Sequence, residues 1–263
     1  MTEKELVIKH YSTYEEENRL LQKHGQVEFL TTMEYIHRFL RRGMRILEIG
    51  AGTGRYSLAL AEEGYRVDAL ELVEHNIEVF RAKMDCRDKV NLIQGNALDL
   101  SGYEDETFDI TLSLGPMYHL FNNEKRRQAM KEAVRVTKTG GFIFTAYCMN
   151  EATMLQYTFG KKLLGDYRKK KLVSEDFIWT PNINDAFALI RTEQILALAE
   201  GMPVERIGLI ATDGASLYLS EMIDSMNDDL FAEYMKYHLS ICDRQDLIGA
   251  SNHTLDILRK CEN

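Results

Sequence analysis

The chain has 263 residues, 45% hydrophobic and 28% charged. That balance excludes a disordered or fibrous chain and suffices for one large α/β domain, with or without an inserted subdomain. A formal net charge of -9 argues against DNA or RNA as the substrate, because phosphate binding draws on Lys and Arg.

The four cysteines, Cys86, Cys148, Cys242 and Cys261, show neither C-x-x-C spacing nor a histidine at a zinc-site interval. Reduced thiols and no metal site are expected. The N-terminal stretch MTEKELVIKHYSTYEEENRL lacks an apolar signal core, and no apolar run is long enough to span a membrane. A cytoplasmic location follows as the expectation.

In chain order, residues 14–42 are predicted helical, with apolar side chains recurring at three- and four-residue steps. Gly25 is expected to divide that helix and Gly43 to end it. A short strand at 44–49 then runs into Gly50-Ala51-Gly52-Thr53-Gly54. The next helix stops at Gly64, and a strand covers 66–71. A helix at about 74–85, strands at 90–94 and 108–113, a helix at 123–137 and a strand at 142–147 follow.

Strands alternating with helices through short links imply a mostly parallel sheet covered on both faces. Ligands of such sheets bind beyond the carboxyl ends of the strands. This lines up segments 50–54, 71, 95–97 and 113–119. Residues 150–188 are less regular, with Tyr157, Phe159, Tyr167, Phe177 and Trp179 and the basic run Arg168 to Lys171. A helix at about 191–200, a strand at 204–212, helices across 215–242 and a last strand near 253–259 complete the chain.

The chemistry is concentrated at Glu48-Ile49-Gly50-Ala51-Gly52-Thr53-Gly54, between a strand and a helix. Glycines let such a turn adopt left-handed angles and let a ligand approach the backbone. The following helix start offers free N–H groups to an anionic ligand group. The dinucleotide pattern G-x-G-x-x-G fails, because Arg55 and Ser57 stand where the third glycine would be. No Gly-Lys-Ser/Thr follows either, which excludes a phosphate-binding P-loop. Glu71 ends the second strand, where a carboxylate can accept both hydroxyls of a ribose. Gly95-Asn96-Ala97 follows the third strand, where an amide and a backbone N–H can read an adenine edge.

At these residues the chain resembles the class I S-adenosylmethionine (SAM)-dependent methyltransferase family. Glu48 to Gly54 match its first motif, Glu71 its ribose acid, and Asn96-Ala97 its adenine-side motif, where many members have Asp in place of Asn96. The segment Leu112-Ser113-Leu114-Gly115-Pro116-Met117-Tyr118-His119-Leu120 is similar to the motif after the fourth strand in the UbiE-like small-molecule branch. The resemblance covers about residues 1–150 well and the rest loosely.

It implies a Rossmann-like, mostly parallel seven-stranded sheet with helices on both faces and an inserted helical cap. It also implies four segments: 1–42 over the cofactor cleft, a SAM-binding core at 43–150, a cap or lid at 151–190, and 191–263 completing the α/β domain. The implied activity is methyl transfer from SAM to O, N or C of a small molecule, leaving S-adenosylhomocysteine. Glu48, Gly50, Ala51, Gly52 and Gly54 would hold the amino-acid end. Glu71 and Leu72 would lie at the ribose, Asn96 and Ala97 at the adenine, and Ser113 and Leu114 near the methionine part. No metal is implied.

Beyond the cofactor set, His119 is a candidate general base, since imidazole titrates near operating pH; the start of the next helix or packing against cofactor is the alternative, and the favoured one. Tyr118 suits either the cleft wall or simple packing. Arg19 is a candidate partner for a carboxylate of SAM or substrate, or an i,i+4 partner of Glu15. The basic run at 168–171 reads as a solvated helix face before an anion site. The aromatics at 157–179 fit a lid or a packed cap alike. Two other readings stand beside the enzyme: a SAM- or nucleotide-binding module without robust turnover, and an NAD-dependent oxidoreductase.

Overall fold

The computed structural model describes residues 2–12, 22–84, 89–182 and 185–262. Among them the first helix, α1 (Glu3–Tyr11), lies outside the helical span expected from the sequence. It begins on a reciprocal cap: the Thr2 hydroxyl accepts from the Glu5 N–H at 3.2 Å, and the Glu5 carboxylate accepts from the Thr2 N–H at 2.8 Å. Thr-x-x-Glu is a legible helix-start signal. α2 (Lys23–Phe39) carries Gly25 inside its first turn and is not divided there. It stops at Phe39, before Gly43, which instead takes a φ of 87° in the turn leading to β1.

From there the chain alternates as expected: β1 (Arg45–Ile49), α3 (Arg55–Glu62), β2 (Arg66–Glu71), α4 (Glu74–Lys83), β3 (Val90–Gln94), β4 (Phe108–Ser113), α5 (Asn123–Val136) and β5 (Thr137–Cys148). β5 starts earlier than the hydrophobic run at 142 suggests. Its first residue, Thr137, pairs with Phe108, and a register shift between Phe108 and Ile110 absorbs the irregular start. The cap region follows, with α6 (Asn150–Thr153), a single π-helical stretch at Met154–Phe159 and α7 (Leu164–Lys169). α8 (Thr192–Leu198), β6 (Val204–Ala211), α9 (Ser220–Asp224), α10 (Asp228–Ile241) and β7 (His253–Lys260) close the fold.

The seven strands form one sheet in the order β3-β2-β1-β4-β5-β7-β6. β1 to β5 are parallel, and β7 runs antiparallel between β5 and β6. Both faces are covered, so the central strands are apolar on both sides rather than alternating. Along β1, Leu47 and Ile49 join one core with Met130 and Ala133 of α5. Ile46, facing the other way, joins the second with Met33 and Ile36 of α2. The sheet is a Rossmann-like, doubly covered α/β fold. Its order reverses at β1 and β4, where the carboxyl ends leave a crevice.

Candidate functional site

β1 delivers its chain to that crevice through a turn that only glycines fit. Gly50 has a φ of 72°, and both its N–H and that of Ala51 donate to the Leu70 carbonyl, at 2.7 and 3.0 Å. A Cβ on Gly50 would lie 2.8 Å from the Pro116 ring, so the loop after β4 closes directly on this turn. Gly54, with a φ of 88°, serves packing instead, since a Cβ there would meet the Phe80 ring at 2.4 Å. It lets α3 pack against α4. Gly52 is the open one, with nothing within 4 Å of where its Cβ would be.

Glu71, at the end of β2, is locked onto the same turn. Its Oε2 accepts from the Gly52 N–H at 2.8 Å, and its Oε1 from the Val73 N–H at 2.9 Å and Asn76 Nδ2 at 3.3 Å. Burial raises the carboxyl's pKa, and these hydrogen bonds oppose the rise. Glu48 accepts from the Ser57 hydroxyl. Burial pushes its carboxyl up to about 8, against that bond and with help from the nearby Glu71 charge.

These groups face a cavity of about 590 Å³. Of the residues singled out in the sequence, Glu48, Gly50, Ala51, Gly52, Glu71, Leu72, Asn96, Ala97, Leu114, Tyr118 and His119 line it. Gly54 and Ser113 do not: Gly54 is a packing glycine, and Ser113 is buried at the end of β4 between Ile49 and Thr145. Arg19 lies outside the described residues. Asn96 uses its side-chain oxygen to accept from the Leu98 N–H at 3.0 Å, which shapes the loop and leaves Nδ2 for other work.

Residues 1–42 are expected over the cleft, but with no helix before residue 14; α1 forms one wall of the cavity, through Thr2, Glu3, Lys4, Val7 and Tyr11. Glu3 fixes it to α5 by an ion pair to Lys125 at 2.7 Å. The Thr2–Glu5 cap was the available signal for the helix, though not for its docking.

Tyr118 and His119 sit on a 3₁₀ turn, Pro116–His119. The Tyr118 hydroxyl donates to the Leu114 carbonyl at 2.9 Å. Both nitrogens of His119 are engaged: Nδ1 lies 2.9 Å from the Ala186 carbonyl and Nε2 3.0 Å from the Tyr11 hydroxyl. A carbonyl only accepts, so Nδ1 carries the proton, and Nε2 accepts from Tyr11. Burial pushes the His119 pKa down to about 4, against the Ala186 bond and with a small push from His10. The ring is therefore neutral at neutral pH.

A second cavity of about 300 Å³ shares Tyr11 and Tyr118 as walls with the first. The cap contributes Tyr157, Tyr167, Trp179, Asp185 and Phe187 to it, and the start of β7 contributes His253. The basic run is not in it.

Beside this cavity the fold assembles an ion cluster that no sequence spacing revealed. The nearest ligand atoms of Glu28, Asp213 and His253 lie within 4.8 Å of one another, close enough to share a metal ion. The imidazole already occupies its share, with Nδ1 at 2.8 Å from Asp213 Oδ2 and 3.4 Å from Glu28 Oε2. Burial alone would lower the His253 pKa, but Glu28 and Asp213 hold it well above its ordinary value. These residues come from α2, the turn after β6 and the start of β7, which is why spacing did not connect them.

Comparison with known proteins places this geometry. Residues 46–141 match a family model described as a methyltransferase domain. A demethylmenaquinone methyltransferase of Clavibacter sepedonicus is 39% identical over 102 residues, 38% of this chain and 40% of that protein. The chain thus spans less than half the length of this curated relative.

Among solved structures, a SAM-dependent methyltransferase of Methanosarcina mazei aligns over 87% of this chain and 98% of its own, with a TM-score of 0.58 and 18% identity. A Thermotoga maritima SAM-dependent methyltransferase, described as a possible histamine N-methyltransferase, aligns over 95% and 97%, with a TM-score of 0.56 and 18% identity. At such identities these two speak for the fold. Over the matched segment, from strand β1 to the start of β5, the chain is similar to the methyltransferase domains that this model describes.

Proposed function

We propose that the protein is a SAM-dependent methyltransferase acting on a small molecule. The observation that carries this reading is the open Cα of Gly52 beside the fixed Glu71 carboxylate, in a cavity at the carboxyl ends of β1, β2 and β4. A side chain at 52 would project into the space a ribose would take, and Glu71 keeps acceptor capacity on both oxygens. The residues present therefore fit an adenosyl amino acid. Glu71 and Leu72 would hold its ribose, Asn96 Nδ2 and Ala97 its adenine, and Glu48 with the turn at Gly50 its cationic amino-acid end.

When bound, SAM supplies a methyl group on a positively charged sulfur, open to in-line displacement by a nucleophile. The chain's own part is positioning. Pro116 against Gly50 fixes the loop after β4, the Leu114 carbonyl is held by Tyr118, and α1 covers the cleft against water. We assign His119 a positioning role, since it anchors Tyr11 on one side and the cap at Ala186 on the other.

We read 43–150 as the donor-binding core, 1–42 as its cover, 151–190 as the cap over the acceptor, and 191–263 as completing the sheet. The acidic balance favours a small-molecule acceptor over nucleic acid and is compatible with the cytoplasm. No helix among the described residues is long and apolar enough to cross a membrane.

The experiment is calorimetric titration and thermal shift with SAM, S-adenosylhomocysteine and NAD, followed by turnover on a metabolite panel. Ligands that bind only the native state raise its melting temperature. A response to both adenosyl compounds is expected. A response to NAD alone replaces the reading with an oxidoreductase, and tight SAM binding without turnover leaves a binding module.

A further inference from the structure

The second cavity has a charge pattern that the donor reading does not use. Its rings come from two sides, His10, Tyr11 and Tyr118 on the donor side and Tyr157, Tyr167, Trp179 and Phe187 from the cap, with His253 from the start of β7. Tyr118 and Phe187 stack with centroids 6.0 Å apart, and Tyr167 meets Trp179 edge to face at 5.1 Å. Two of the polar handles are spent inside the protein: Tyr118 donates to Leu114, and Trp179 Nε1 donates to the Phe187 carbonyl at 3.1 Å. These two side chains therefore offer the cavity their rings.

Among the rings stands Asp185. Its Oδ1 accepts from the Phe187 N–H at 2.8 Å. Lys170 and His10 lie within electrostatic reach, yet among the described residues no cation forms an ion pair with it. Its charge faces the aromatic wall: the Tyr167 phenol is raised by burial and, next, by Asp185. Burial raises Asp185 as well, as befits a carboxylate in a partly dry pocket. His253, which also lines the cavity, is already ion-paired, with Nδ1 at 2.8 Å from Asp213 Oδ2 and 3.4 Å from Glu28 Oε2.

Ring faces carry negative potential, and a carboxylate among them adds to it. A phenolate or other electron-rich anion would meet like charge there. A cation would gain both the faces and a counter-ion.

We propose that this cavity binds a methyl acceptor that carries a cationic amine group, held against the ring faces with Asp185 as its counter-ion, while a different, electron-rich atom of the acceptor takes the methyl and S-adenosylhomocysteine leaves. The proposal rests on the methyl-transfer reading of the neighbouring cavity.

It is tested with choline, a quaternary ammonium with no lone pair on nitrogen, and its uncharged isostere 3,3-dimethylbutan-1-ol. Each is titrated calorimetrically into the full-length chain, with and without S-adenosylhomocysteine. Choline is expected to bind about tenfold more tightly than the isostere. Asp185→Asn should cut that preference several-fold while keeping its S-adenosylhomocysteine affinity, which also reports that the variant folds. Equal affinities, binding of neither probe, or a preference undiminished in Asp185→Asn overturns the proposal. Choline preference without any S-adenosylhomocysteine binding upholds the cation site and sinks the donor reading instead. The reverse result sinks only the amine.

Discussion

The two cavities are built by different means. The one at β1, β2 and β4 is largely a main-chain object: its positions come from short turns directly after strands, and a Cβ on Gly52 would meet no protein atom there. The one beneath the cap is a side-chain object, gathered from α1, the 3₁₀ turn, the cap and β7. The first kind of site travels with a fold, since strand ends fix it. The second can be refilled without disturbing the sheet, which is how one scaffold serves many substrates.

That contrast can be broken most severely at Glu71. Replacing it with alanine removes the acceptor for the Gly52 and Val73 N–H groups and the proposed ribose contact. SAM affinity should fall by about 100-fold in calorimetry, with a lower melting temperature. Undiminished affinity would mean the ribose lies elsewhere.

The glycines sharpen it next. Gly54→Ala forces a Cβ within 2.4 Å of Phe80 and should cost about 2–4 kcal/mol in denaturant unfolding. Gly52→Ala meets no atom and should cost only about 1 kcal/mol for its left-handed angle. Yet it should weaken SAM binding by about tenfold, by narrowing the cavity. Equal losses of stability would erase the distinction between a packing glycine and a cavity glycine.

A smaller effect concerns Glu48. Its carboxyl, raised from 4.5 to about 8, is mostly protonated in the free protein at neutral pH. A cationic donor favours the ionised form, so binding releases a proton. SAM affinity should rise with pH, by up to about tenfold per unit, and level off above about 8. Glu48→Gln should flatten that slope. The folding side has the opposite sign: a raised carboxyl contributes stability fully below 4.5 and loses it as pH rises through 8. Glu48→Gln should therefore melt higher than the parent near pH 8 and no higher near pH 4.

The smallest effect is expected at His119. With Nδ1 on Ala186 and Nε2 on Tyr11, His119→Ala and Tyr11→Phe should each lower turnover by several-fold and leave SAM affinity nearly intact. The parent's pH–rate profile should show no limb near 6.5. A limb there that vanishes in His119→Ala would restore the imidazole as general base.

The main-chain site was legible because its chemistry is written as glycine spacing and strand ends. Glu48, Gly50, Ala51, Gly52, Gly54, Glu71 and Asn96-Ala97 could be read in order, and all but Gly54 line the cavity. The failures are physical. Gly54 has the same sequence signature as Gly52, and only its distance to Phe80 separates them. Ser113 belongs to the right motif but ends inside the sheet. The Asp213–His253 pair forms because β6 and β7 are adjacent antiparallel strands, a pairing that no local pattern announces. Asp185 reads as an ordinary loop acid until the cap folds around it.

α1 carries a last implication. Because Glu3, Val7 and Tyr11 form a side of the first cavity, an occupant that gains contacts with them and the docking of this helix favour one another. Thermodynamic reciprocity requires that each strengthen the other by the same factor. Protection of the first dozen residues from proteolysis thus becomes a gauge of occupancy, readable without following any reaction.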